Sequence, residues 1–438
     1  MVFMYGDIMA NCKRIILAFA LFLTSACSAP ESQADPQPDD QESAVPASPT
    51  PEVKEPEYTF TYKESSFDGE FDAMLAENGR IYGIVRDSAY LKAMAGLISV
   101  DDIPYRNVQM SKTMQFIEWN PEDDTFNVLA DLSEYDIAGT NWVSANGKYY
   151  FVRMGLNDER YFNTEYDHGW CAPYDIVCYK DGEITVLDEC IGMTGGTDVP
   201  NVYKYNGKLY YLGSVTEGIH RTYQLKKLDP ASDTIEILDT IEYDAESTEE
   251  DVIDVRKVCG LAHMVGNLFS YVEHSDDRQS SIIHEYDADT GAFKEYTIPR
   301  YVEDVLSLDR YLFMITTQFD DENHTSRYTV ETYQKETGNI SGLPPESYQK
   351  FAADGDEAVV YDVHSVTKSK PFSHFIDNGG QFGMLNDRTW LENTKVPDYW
   401  EKYRSTAQLL MEDNTIYIVM GGTAITSTDL VLVKAEQK

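Results

Sequence analysis

From about residue 59 onward the chain repeats one phrase: a short apolar run, a tight turn, then an aromatic-rich run. It reads AMLAENGRIYGIV, WVSANGKYYFVR, VYKYNGKLYYLG, LAHMVGNLFSYV, VLSLDRYLFMI, KFAADGDEAVVY and QLLMEDNTIYIVM. Aligned on what reads as the second turn residue, the phrases fall at Gly79, Gly147, Gly207, Gly266, Asp309, Asp356 and Asn414. Asn-Gly at Asn78, Asn146 and Asn206 predicts two-residue hairpins, because both positions accept positive φ. A second phrase follows each of the first five, as in MQFIEWNPEDDTFNVLADL and YQLKKLDPASDTIEILDT. Its turns are built from Asp, Asn, Pro, Gly and Thr, and its flanks from Tyr, Val, Ile, Phe and Thr.

Two hairpins per unit make a four-stranded antiparallel meander. The expected fold is all-β, a β-propeller with seven blades. Unit six is the weakest, with HFIDNGGQFGML as its second hairpin. A six-blade ring with residues 370–404 as an insertion is the alternative. Unit seven is one strand short at its C-terminal end, and Tyr58 to Lys63 could supply the missing strand, which would hide an open sheet edge. The turns Asn120-Pro121, Asp229-Pro230 and Asp287-Ala288-Asp289-Thr290-Gly291 resemble those of the Kelch, quinoprotein and WD40-like propeller superfamilies. The resemblance implies an architecture and names no subfamily.

The first 58 residues are of other kinds. Lys13 and Arg14 precede nine apolar residues, Ile15 to Leu23, and Thr24-Ser25-Ala26-Cys27 follows. Nine residues rise about 14 Å as a helix, too little to span a bilayer core of about 30 Å. The pattern is that of a secretory signal, read most simply from Met9, with residues 1–26 removed. The cysteine at the cut resembles the lipobox of bacterial lipoproteins, and that resemblance implies diacylglycerol on Cys27. The expected location is the extracytoplasmic face of a bacterial cell membrane. Residues 27–58 are rich in Pro, Ser, Ala and acids and have no apolar periodicity, so they read as a disordered tether. The propeller is expected over residues 59–438.

Charge narrows the partners. The chain carries 75 acids against 35 bases, a net charge of −40. Such a field repels nucleic acid and anionic lipid. The expected partners are the membrane, through the lipid, and an envelope protein, glycan or peptide; a monomer is expected. Cys171, Cys178, Cys190 and Cys259 match no zinc spacing. Free buried thiols are expected, with Cys178 facing Thr185, or at most a bridge involving Cys171.

Candidate binding residues follow from loop lengths. If strands A to D run outward, the short A–B and C–D turns share one face of the disc. The long connections share the other: about 87–112, 156–174 and 388–404. Long loops on a rigid scaffold commonly bind. On that face the sequence places Asp167, His168, Trp170, His220, His274, His324, Trp390, Tyr399 and Trp400. Rings beside carboxylates suit sugars or peptide side chains. No spacing fixes metal ligands on one centre, and no motif asks for a cofactor.

No GxSxG elbow, HExxH helix, P-loop or GxGxxG stands in the chain. The reading is therefore a lipid-anchored binding or scaffold module of the envelope. The alternative is an exported propeller hydrolase or lyase acting on glycans or peptides. Catalysis would require three or more polar side chains converging over the central channel, with at least one buried carboxylate or histidine.

Overall fold

In the computed structural model the chain divides after Glu52. The structure describes residues 58–65, 67, 70–86, 114–131, 142–154, 171–193, 200–217, 219–244, 246–247, 252–253, 257–276, 279–320, 325–343, 350–354, 357–361, 372–376, 408–412, 415–421 and 430–437. All of the described regular structure is β.

Strand β1 (Tyr58–Ser65) stands first, and seven units follow in chain order. Unit 1 is β2 (Glu70–Glu77), β3 (Arg80–Arg86), β4 (Met114–Asn120) and β5 (Thr125–Asp131). Unit 2 is β6 (Val143–Ala145), β7 (Lys148–Met154), β8 (Cys171–Lys180) and β9 (Glu183–Met193). Unit 3 is β10 (Tyr203–Tyr205), β11 (Lys208–Glu217), β12 (His220–Asp229) and β13 (Thr234–Asp244). A two-stranded ribbon, β14 (Glu246–Ser247) and β15 (Val252–Ile253), comes next. Unit 4 is β16 (Val258–Val265), β17 (Leu268–His274), β18 (Ser281–Asp287) and β19 (Ala292–Ile298). Unit 5 is β20 (Tyr301–Ser307), β21 (Tyr311–Asp320), β22 (Thr325–Gln334) and β23 (Ile340–Leu343). Unit 6 shows three strands, β24 (Lys350–Asp354), β25 (Glu357–Tyr361) and β26 (Phe372–Ile376). Unit 7 is β27 (Gln408–Glu412), β28 (Thr415–Gly421) and β29 (Leu430–Gln437), completed by β1.

Six antiparallel four-stranded units are thus seen, together with the three strands of unit 6. The fourth strand expected there falls outside the described residues. The predicted closure is present: β1 pairs with β29 along its whole length, from Tyr58 opposite Gln437 to Ser65 opposite Leu430. The architecture is that of a β-propeller. Units 2 and 3 are also joined by a single parallel bridge, Val215 to Ile191.

The turns explain the hairpins. Asn78-Gly79, Asn146-Gly147 and Asn206-Gly207 all have positive φ at both residues, as a type I′ turn needs. Asp181-Gly182 repeats this between β8 and β9. Pairing corrects the alignment at two sites. Val265 pairs with Leu268, so Gly266 is the first turn residue and not the second. Asp309 is likewise first, because Leu308 bonds Tyr311 across that turn. In the outer turns Asn120, Asp229 and Asp287 each accept the backbone N–H two residues on, at 3.2, 3.0 and 2.9 Å. These side chains set the bend that the sequence showed only as composition.

Apolar clusters fill the spaces between units. Phe71, Ile81 and Trp119 pack on Tyr417, Val419 and Leu432, joining units 1 and 7. Ile84 and Phe116 pack on Trp142, Phe151 and Val177 between units 1 and 2. Comparable clusters lie between units 2 and 3, 3 and 4, and 4 and 5. Trp142 is sandwiched between Phe116 and Phe151, with ring centres 4.0 and 3.7 Å away. A fully buried Tyr or Trp contributes roughly 1.5–3 kcal/mol or more by area, so these clusters dominate the stability of the disc.

Candidate functional site

The innermost strands carry a chain of polar contacts from unit to unit. Tyr203 and His263 occupy equivalent places, each two residues before the end of its inner strand. The Tyr203 hydroxyl lies 3.0 Å from His263 Nδ1. His263 Nε2 lies 2.7 Å from Asp304 Oδ1, although the N–H is not aimed straight at it. A bulge between Val302 and Asp304 sets where Asp304 falls along β20. Bulges commonly re-aim a side chain in this way. Asp304 Oδ1 also accepts the N–H of Val305 at 2.8 Å. Three polar groups from units 3, 4 and 5 therefore meet on the inner strands, all of them partly buried.

The chain of contacts continues the other way. Glu77, at the end of β2, accepts the hydroxyl of Ser144 on β6 and the ammonium of Lys204 on β10 at 3.4 Å. Gln408 on β27 bridges to unit 1: its Oε1 accepts the N–H of Ala73 at 2.7 Å, and its Nε2 donates to Asp72 at 3.2 Å. The inner strands of units 7, 1, 2, 3, 4 and 5 are linked side chain to side chain.

The protons of the Tyr–His–Asp set follow from its partners. With Asp304 ionised, Nε2 carries hydrogen and Nδ1 accepts from the Tyr203 hydroxyl. Burial, with the nearby Asp304 charge adding to it, pushes the Tyr203 phenol well above its ordinary value. The phenol keeps its proton. His263 thus faces the Tyr203 hydroxyl with Nδ1 and the Asp304 carboxylate with Nε2.

A second set lies deeper, between units. In units 1, 2 and 3 the outer strand bulges at the same place, at Leu129, Leu187 and Leu238, as the register breaks show. The next residues are Ala130, Asp188 and Asp239. Asp188 accepts the Tyr211 hydroxyl and the Lys226 ammonium from unit 3, each at 2.7 Å. Asp239 accepts the Tyr271 hydroxyl of unit 4 at 2.5 Å. At the equivalent place facing Ala130, unit 2 has Phe151. Where the ring carries a hydroxyl, the preceding unit supplies a carboxylate; where it does not, the preceding unit supplies a methyl group. Cys190, fully buried beside Asp188, has its thiol pushed up to about 12, chiefly by burial. A thiol so shifted is inert. Cys178 is also free and buried and pairs with Thr185 as expected. Between units 4 and 5, Glu285 accepts Lys335 at 2.5 Å, the Ser307 hydroxyl, and the Tyr296 hydroxyl at 3.2 Å.

Two of the sequence's candidates are described. His220 is exposed, with Nδ1 2.9 Å from Asp244. His274 is buried, stacked on Tyr301 at 4.1 Å, with Nδ1 3.2 Å from the Ser281 hydroxyl. They do not join the inner-strand set. Asp167, His168, Trp170, His324, Trp390, Tyr399, Trp400 and Cys27 lie outside the described residues. Among the described residues no group of three or more His, Cys, Asp or Glu side chains is placed to hold a metal. Tyr203, His263 and Asp304 lie on short inner strands and not in the long loops, and a bulge sets the place of Asp304, so loop length does not point to them. Tyr203 and His263 fall at one repeat position only once the pairing moves the turn at Gly266 by one residue, so the aligned phrases do not bring them together.

No family model matches the chain, and no curated protein matches it. Solved structures do. The polysaccharide lyase Uly1 is 7% identical with a TM-score of 0.48, over 87% of this chain and 100% of that one. The β-propeller domain of the Trilobed protease from Pyrococcus furiosus is 9% identical with a TM-score of 0.38, over 66% and 79%. A Pyrococcus horikoshii acylaminoacyl peptidase is 8% identical with a TM-score of 0.36; the match covers 64% of this chain and only 42% of that enzyme.

Proposed function

We propose that this protein is a lipid-anchored, extracytoplasmic propeller that binds an envelope protein, glycan or peptide. Cys27 would carry the lipid and residues 27–58 would hold the body away from the membrane. The observation that carries the binding reading is the linked set on the inner strands. Its carboxylates, phenol, imidazole and ammonium hold one another in fixed positions, which suits a preorganised recognition surface. Metabolic labelling with a radioactive fatty acid tests the anchor: wild type is labelled and Cys27→Ser is not. Calorimetry of the full chain against wall glycans and secreted peptides tests binding. Binding by wild type, weakened about tenfold or more in Lys204→Ala, supports the reading. Absence of binding to every envelope component counts against it.

The convergence of Tyr203, His263 and Asp304 favours one second reading, a hydrolase or lyase using His263 as acid and base. Turnover of a glycan or peptide by wild type, lost in His263→Gln with the fold unchanged, would establish it. Equal turnover by both would remove it.

A further inference from the structure

Three Asn-Gly turns share one backbone shape but differ in what holds their reacting groups. Asn78-Gly79, Asn146-Gly147 and Asn206-Gly207 have φ of 53° and 72°, 54° and 69°, and 46° and 70°. In an Asn-Gly pair the glycine nitrogen can attack the asparagine side-chain carbonyl, because no side chain on the glycine hinders the approach. At the first turn Glu412, from unit 7, takes both backbone N–H groups: that of Asn78, and that of Gly79 at 3.0 Å. The attacking nitrogen is pinned. At the third turn Asn206 Nδ2 donates to Asp289 at 3.2 Å, and Tyr205 donates to the same carboxylate. There the group that must leave is tethered. At the middle turn Asn146 and Gly147 are exposed, and among the described residues neither the Asn146 amide nor the Gly147 N–H has a partner.

We propose that Asn146 is a site of spontaneous backbone modification, through a cyclic imide formed with Gly147. The Gly147 nitrogen bonds to Cγ of Asn146. The bond from Cγ to Nδ2 breaks, and Nδ2 leaves as ammonia with the proton that Gly147 gives up. Water then adds to one imide carbonyl and opens the ring, giving Asp or isoAsp. No oxidant or reductant is needed. Either product puts a new carboxylate beside Lys148, which already holds Asp233 of unit 3 at 2.6 Å. IsoAsp also lengthens the main chain inside a two-residue turn whose flanks, Ala145 and Lys148, are paired. Ser144, the inner-strand partner of Glu77, is two residues away. The site can therefore alter the inner-strand set over time.

The test is incubation of the whole protein at mildly alkaline pH, with peptide mapping by mass spectrometry and enzymatic methylation of isoAsp. Asn146 is expected to convert about tenfold faster than Asn78, the factor that one hydrogen bond to a charged group sets. Asn206 is also expected to lag behind Asn146. Glu412→Ala should bring Asn78 up to the rate of Asn146, and Asn146→Gln should abolish the main isoAsp signal. Equal conversion at the three turns, faster conversion at Asn78, or no effect of Glu412→Ala in a chain with unchanged circular dichroism would overturn the proposal. Asn378-Gly379 lies outside the described residues.

Discussion

Asp188, Tyr211 and Lys226 form one answer to the space between two units, and Ala130, Phe151 and Val177 form the other, at matching positions. Lys226 is almost wholly buried. Removing its acid with Asp188→Ala leaves an ammonium without its counter-charge, at a cost of about 3 kcal/mol. Exchanging the whole set removes the charge problem. The triple variant Asp188→Ala, Tyr211→Phe, Lys226→Val copies the solution already used one unit earlier, and should lie within about 1–2 kcal/mol of wild type. Denaturant unfolding of the single and triple variants checks both figures. Asp287 gives a prediction in pH. Burial works to raise its carboxyl, but hydrogen bonds from Thr290, Asn267 and two backbone amides outweigh it, and the folded value lies below the ordinary 3.8. A carboxyl lowered on folding contributes stability in full above its unfolded value, and that contribution fades as pH falls through the folded one. Asp287→Asn should therefore cost stability at pH 7 and progressively less below pH 3.8, measured by melting across that range.

At the scale of elements, the hairpins were legible because their causes are local. An Asn-Gly pair states its own conformation, and Asn120, Asp229 and Asp287 build their turns from their own side chains. Displaced by one residue were Gly266 and Asp309, where the turn residues are not the Asn-Gly that fixes both positions. The inner-strand set was illegible for the opposite reason. Tyr203 and His263 stand 60 residues apart, and the third member depends on a bulge that sequence does not announce. The same limit hid the shared bulge at Leu129, Leu187 and Leu238, although all three are leucines. Bulges also explain one glycine. Gly83 stands where later units carry Phe151, Tyr211 and Tyr271, opposite the bulge between Ala73 and Leu75. A Cβ there would meet the Asp72 carbonyl oxygen at 2.3 Å and the Phe71 ring at 2.8 Å. Because the first obstacle is backbone, no rotamer relieves it. Gly83→Ala should cost about 3 kcal/mol, at the upper end of overpacking, in the same unfolding assay.

The whole molecule depends on how its last sheet ends. In units 1 to 5 all four strands come from one stretch of chain, so each can form as a local meander. Unit 7 takes its outer strand from the other end of the body, across a separation of more than three hundred residues. That pairing closes the sheet and covers the N–H and C=O row of β29, which would otherwise be an open edge of apolar residues, Leu430 to Val433. Long-range closure comes late in folding, since the loop entropy must be overcome first. Removing Tyr58–Ser65 should therefore leave units 1 to 5 able to form their hairpins while β29 stays open. The expected result is near-normal strand content by far-ultraviolet circular dichroism, a broadened unfolding transition, and association seen by light scattering. Adding the peptide YTFTYKES in trans should reverse the association, because it restores the covering strand in the register of Phe60 opposite Ala435. A truncated chain that stays monomeric and unfolds as sharply as wild type would mean that packing between units 1 and 7, not the shared sheet, holds the ring shut.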